Sequence, residues 1–364
     1  MDGVLFGALA FVLFIVVLGG LVLVHELGHY LSAKALDVRV LEFGIGFPPR
    51  AKVLKRSGET LWTLNWLPIG GFVRMEGEDG DAASDPRAFS AKPLRVRLAI
   101  LVAGVVMNIV LAFVIFFLIA LLAWPVVGAR IGTIEPGSPA QAAGLVAGDE
   151  ILGVAGEIGF EFLGDRSLID ALRDHAGETV TIHIRHADGT EADVPATLRP
   201  RSELGPDRGA LGVRELTQTY DGYVGHGPGT ALGMASRDLA NWGGLILGGL
   251  GNLIDAFIKD PTAPPQASGP LGIAVSLAGI FTGSGPILTL YFAAILSVNL
   301  GVVNILPFGP LDGGRSAILI SRRLFGSRVS LRFERLTYAV GFVVLMAFML
   351  WVTGFDIARL GTSP

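Results

Sequence analysis

The chain has 364 residues, 51% of them hydrophobic and only 16% charged, with a mean hydropathy of +0.59. Such a composition leaves too little polar surface for an ordinary soluble protein and points to a multi-pass membrane protein. The net charge of -4 argues neither for nor against an acidic partner, but no basic tract of the nucleic-acid kind is present and no nucleic-acid partner is expected; the absence of cysteine excludes disulfides and thiolate metal sites.

Residues 1–32 read as a first transmembrane helix, built on an apolar run from Leu5 to Leu31. The run is longer than a signal-peptide core and only Asp2 precedes it, so the expectation is a retained helix. Residues 33–97 follow as a β-hairpin region and loop. From 38 to 75 apolar and polar residues alternate, punctuated by Gly44, Gly46, Pro48, Pro49, Gly58 and Pro68 to Gly71, and a polar loop runs from Asp79 to Pro86. Residues 98–127 are a second span. Residues 128–200 read as a small α/β domain, with strands at Ile131–Ile134 and Glu150–Val154, helices from Pro139 and from Arg166 to His175, and two strands around Ala187–Thr190.

Residues 201–285 are expected to hold a linker and a membrane-surface helix at Ala231–Ile258. A fifth span is the alternative there, but Arg237, Asp238, Asp255 and many glycines weigh against it. Residues 286–314 form a third span, 315–335 an arginine-rich loop and 336–354 a fourth span. Lysine and arginine crowd the segment between the first two spans and the loop at 315–335, whereas Arg130–Ile258 contains no lysine. The positive-inside rule therefore places the first two of these in the cytoplasm and the α/β domain outside.

Within the first span, "LVLVHELGHY" sets His25 and His29 four residues apart on one helical face, with Glu26 beside them. This is the HExxH spacing, in which two imidazoles bind one zinc ion and the glutamate serves as general base. Ionisable groups within a span are costly and functional by default. A catalytic zinc needs a third protein ligand, and Asp312 in "NILPFGPLDGGR" is the candidate, with a helix cap as its structural alternative. Four spans bring Asp312 to the same membrane side as the histidines; a fifth before it would send it to the other.

HELGH in a first helix, "NILPFGPLDGG" in a late one and a PDZ-like module between them resemble the site-2 protease family of intramembrane zinc metalloproteases, of the bacterial regulator of sigma-E protease type. The resemblance covers nearly the whole chain. It implies four transmembrane helices, a membrane-associated β-hairpin region and one extracytoplasmic PDZ domain, with zinc held by His25, His29 and Asp312 and catalysis by Glu26. The family's Asn-x-x-Pro element falls on Asn304 and Pro307. Its AGPxxN element falls on "AGVVMN", with Val105 in place of proline and Asn108 kept, so both asparagines are implied to contact substrate. Gly309 stands where the family has a further proline. "GTIEPGSPAQAAGLVAGDEILGVAG", Gly132 to Gly156, resembles the PDZ core of bacterial proteases, with Ala155 for the usual asparagine.

The implied activity is regulated intramembrane proteolysis in the bacterial inner membrane. Its substrates would be transmembrane segments of single-pass proteins such as anti-sigma factors, first cut by a site-1 protease, and remnant signal peptides. The hairpins would hold a substrate by strand addition. A membrane scaffold or zinc-handling protein is the rival reading; the intact Glu26 favours the enzyme, since a carrier needs no base beside its ligands.

Overall fold

The computed structural model describes residues 3–78, 85–158, 168–205, 208–260, 262, 264–265, 267–326 and 331–362. Most of the expected polar loop at 79–86, and the expected helix start at Arg166, lie outside the described residues. The chain divides into two compact units, Met1–Phe116 with Ala235–Pro364, and Phe117–Met234.

The first unit is built on α1 (Gly3–Ala35), α2 (Leu94–Leu122, entering the second unit at its end), and the later helices α6 (Pro270–Ile305) and α8 (Leu331–Thr362). Each of these holds a stretch long and apolar enough to cross a membrane, Glu334–Leu360 in the case of α8. Neither α1 nor α2 contains proline, and both are apolar on every side, the pattern of a helix with no water-facing stripe. On α1 the side chains of Val4, Leu5, Phe11, Val12 and Val16 are exposed, a surface unsuited to water.

Between α1 and α2, β1 (Val40–Ser57) and β2 (Thr60–Met75) pair with each other twice. Val40–Ile45 is flanked by 61–64 on one side and by 71–75 on the other, while 50–57 pairs with 60–65. The result is a four-stranded layer from two bent strands, its bends at Pro48-Pro49 and Pro68 to Gly70, where amide donors are missing or φ is positive. Stacked Phe43 and Trp62, with centroids 4.6 Å apart, receive the edge of Tyr30 and fasten the layer to α1.

The second unit holds β3 (Trp124–Arg130), β4 (Thr133–Ile134), α3 (Pro139–Ala142), β5 (Glu150–Val154), β6 (Glu157–Ile158), α4 (Leu168–Asp174), β7 (Thr179–Arg185), β8 (Glu191–Thr197), β9 (Val213–Arg214) and β10 (Thr217–Val224). Its main sheet runs β10-β3-β5-β7-β8, with β6 on β5 and a separate β4–β9 pair. Alternate residues Val180, Ile182 and Ile184 of β7 turn into a core with Ile151, Val154 and Leu211. The sheet reaches beyond the expected 128–200: the alternating stretch Thr217–Val224 returns to pair with β3, and the first strand precedes Ile131. The proline- and glycine-rich segment before β10 conceals that return in the sequence.

Helix α5 (Pro228–Lys259) covers the expected surface helix and is not among the four apolar candidates. Within the first unit it is docked on α6: the Tyr291 hydroxyl donates to Asp238 at 3.1 Å and accepts from Trp242 Nε1 at 3.2 Å. Two expected boundaries differ. α6 begins at Pro270 rather than 286, passing a break where Gly285 takes φ +83° ahead of Pro286. It ends at Ile305, because Pro307 and Pro310 cannot supply helical donors, and a separate helix α7 (Asp312–Phe325) occupies much of the stretch expected as a loop. Gly314, Ile318 and Leu319 of α7 are buried on one side of an amphipathic helix whose arginines read in the sequence as a loop.

Candidate metal centre

His25 and His29 lie on successive turns of α1, both buried. Asp312 is the first residue of α7 and reaches them from 287 positions along the chain. Its approach depends on glycine: a Cβ at Gly313 would come within 2.1 Å of the Ile305 carbonyl, so no larger residue lets α7 start that close to the end of α6.

Asp312 Oδ2 lies 2.9 Å from His25 Nε2 and 3.3 Å from His29 Nε2, and the two Nε2 atoms are 3.2 Å apart. Donors about 2.0–2.1 Å from a tetrahedral zinc would be separated by about 3.3 Å, so the trio is spaced as one coordination face. Two imidazoles and one carboxylate are also a donor set suited to catalytic zinc, with a fourth position left over. Among the described residues these are the three histidine or acidic groups whose ligand atoms converge, all within 4.8 Å of one another.

Helix α2 forms the back of this centre through Ile100, Gly104 and Asn108, one stripe at four-residue spacing. The Ile100 carbonyl is 2.8 Å from His29 Nδ1 and accepts its N–H, which leaves the Nε2 lone pair pointing at Asp312. A Cβ at Gly104 would lie 2.5 Å from His29 Nε2, so the stripe must be bare at that level. The resemblance implies a substrate contact for Asn108, yet the structure buries it completely and sets its carboxamide 3.2 Å from His25 Nδ1. Its carboxamide stands behind the His25 ring. The carbonyl of Asn108 also accepts the Ser297 hydroxyl at 2.8 Å, tying α2 to α6.

Glu26 is half-buried and stands apart from the converging trio. A Cβ at Gly71 would be 3.4 Å from Glu26 Cγ, so the 71–75 segment of β2 runs beside this carboxylate. Among the described residues that segment pairs only with Val40–Ile45, and its other edge is unpaired by strand. Asn304 is half-buried near the end of α6. A mainly apolar cleft of about 210 Å³ opens beside Asp312, lined by Leu101, Val105, Ile305, Gly313 and Ile320.

Sequence reasoning missed one element of the site. Arg315, one turn after Asp312, forms an ion pair with Glu78 just past β2 and lies over the Tyr338 ring. The arginine directly after the "LDGG" run was the available signal; the partner in an acidic loop was not.

Residues 13–348 match the family described as Peptidase family M50. The chain is 30% identical to "Zinc metalloprotease RasP" of Geobacillus kaustophilus, covering 95% of this chain and 97% of the relative. It is 32% identical to a "Putative zinc metalloprotease" of Clostridium acetobutylicum, over 95% and 96% of the two chains. A third relative, a "Putative zinc metalloprotease" of Brucella suis, is 30% identical over 92% of each.

Proposed function

The chain belongs to peptidase family M50 and is a zinc metalloendopeptidase, and from that premise we propose that it cleaves transmembrane segments of single-pass membrane proteins at the His25, His29 and Asp312 centre. The convergence of these three donors from opposite ends of the chain is the observation that carries this reading. The four apolar helices fit a membrane-embedded protease, for which the lipid bilayer is the solvent and membrane proteins are the substrates.

His25, His29 and Asp312 would hold zinc, which would supply Lewis acidity toward water and the scissile carbonyl. Glu26, next to the ligands but outside them, takes a proton from the attacking water and returns it to the leaving amine. The 71–75 segment passes Glu26 with a free strand edge, so an unwound substrate can add to it in extended form. Such unwinding is required because a helical peptide bond is closed to attack. Asn304, at the end of α6 and near the apolar cleft, is the substrate-contacting asparagine of this scheme.

The second unit is a single PDZ domain on the extracytoplasmic side of a bacterial inner membrane, where it filters substrates or binds a new C-terminus left by a site-1 protease. Anti-sigma factors after a first cut, and remnant signal peptides, are the substrate classes. The turn at Gly144, the strand β5 and the short helices α3 and α4 support the PDZ assignment.

The test is co-expression with tagged single-pass membrane proteins, comparing wild type with Glu26→Gln. The variant is expected to keep about one zinc per chain while cleavage falls about 10²- to 10⁴-fold. Processing at the wild-type rate would overturn the mechanism. Single cysteines in this cysteine-free chain, at Lys55 and Glu150, test the sidedness. Labelling of both from one face would refute it.

A further inference from the structure

The two ligand histidines must each present an Nε2 lone pair to a shared metal. A neutral imidazole does so only when its proton resides on Nδ1, and a buried Nδ1–H needs an acceptor. His29 has one, the Ile100 carbonyl at 2.8 Å. The matching position for His25 is occupied by the side chain of Asn108, 3.2 Å from Nδ1 and fully buried.

We propose that Asn108 is the positioning residue for His25: its carboxamide oxygen accepts the Nδ1–H of the ring and so turns the Nε2 lone pair toward the metal. The inference rests on His25 being a zinc ligand. In the structure Nδ2 faces the ring and Oδ1 is buried without a partner among the described residues. That orientation requires a lone pair on Nδ1 and hence a proton on Nε2, directed at the place where the metal would be held. A half-turn of the carboxamide exchanges two nearly isosteric groups and removes the conflict. In the orientation of the structure the amide leaves one buried polar end unpaired among the described residues, a cost that packing alone does not explain. Its value lies in what it does to His25. Ile100 and Asn108, eight residues apart on one stripe of α2, then act as a pair of acceptors for two histidines four residues apart on α1.

The experiment measures zinc affinity by chelator competition in the purified full chain, for wild type, Asn108→Asp, Asn108→Leu and His25→Ala. An acceptor role predicts that Asn108→Asp binds within a few-fold of wild type, whereas Asn108→Leu loses about 10- to 100-fold. In zinc-loaded protein with ¹⁵N-labelled histidine, the His25 Nδ1–H should be protected from solvent exchange in wild type and in Asn108→Asp. If the leucine and aspartate variants weaken zinc equally, or the wild-type Nδ1–H exchanges freely, the inference fails. Should Asn108→Leu not fold, the aspartate variant and the wild-type exchange rate still decide. Zinc retained by His25→Ala would instead refute the ligand assignment, a result separable from any behaviour of Asn108.

Discussion

Both units pair a histidine with an aspartate at nearly the same distance. His25 meets Asp312 at 2.9 Å in the first; His183 meets Asp193 at 2.8 Å in the second. The first pair is 8% and 16% exposed at its side chains, the second 29% and 68%. His183 and Asp193 are cross-strand neighbours on β7 and β8, a contact that the hairpin supplies without further design. His25 and Asp312 are joined by tertiary packing alone and by a second imidazole aimed at the same oxygen. Distance therefore says little about chemistry; burial and convergence from remote positions say much more.

Removing each carboxylate is the strongest way to break this comparison. Asp312→Ala should lower zinc affinity by more than about a hundredfold, beyond the cost of losing a supporting residue, and abolish cleavage. Asp193→Ala should leave both unchanged, as expected of an exposed pair. Full zinc in the Asp312 variant, read by metal analysis, would remove the proposed third ligand.

Glycine substitutions sharpen the contrast at smaller scale. Gly104 is needed for space, since a Cβ would lie 2.5 Å from His29 Nε2. Gly144 has nothing within 4 Å but a φ of +82°. Gly104→Ala should therefore weaken zinc about tenfold by pushing a ligand ring. Gly144→Ala should cost about 1–2 kcal/mol of left-handed strain and leave zinc binding intact. Equal zinc affinities in the two variants would contradict the tight approach of α2 to the ligands.

The smallest effect concerns a surface charge of the first unit that should behave like those of the second. Glu59, at the turn between β1 and β2, has its carboxyl lowered to about 2 by Arg87 and Lys34. A depressed carboxylate contributes stability above its unfolded value near 4.5, and that contribution fades as pH falls toward 2. The gap in thermal midpoint between wild type and Glu59→Gln should then be constant above about pH 5 and shrink in acid. A gap that grows in acid would reverse the assignment.

Much of this arrangement is legible in the sequence because it follows from local pattern. Apolar runs mark the helices, HExxH marks one face of α1, and the ending "LDGG" marks Asp312. Strand β5 is read at Glu150–Val154, where alternation and turn residues agree. What stays hidden depends on pairing at a distance. Thr217–Val224 finds its partner only at β3, the Arg315–Glu78 pair joins segments more than two hundred residues apart, and the burial of Asn108 is decided by where α1 crosses α2.

The double pairing of β1 and β2 sets how this chain tolerates insertions. Residues added at Gly58 lengthen an exposed turn and leave every paired strand in place. One residue added between Leu67 and Gly71 shifts the strand that passes Glu26. Gly71, Val73 and Met75 are now buried and Arg74 is exposed; a one-residue slip exchanges these faces and drives the arginine inward. The hairpin should accordingly accept added length at Gly58 and reject it between Leu67 and Gly71.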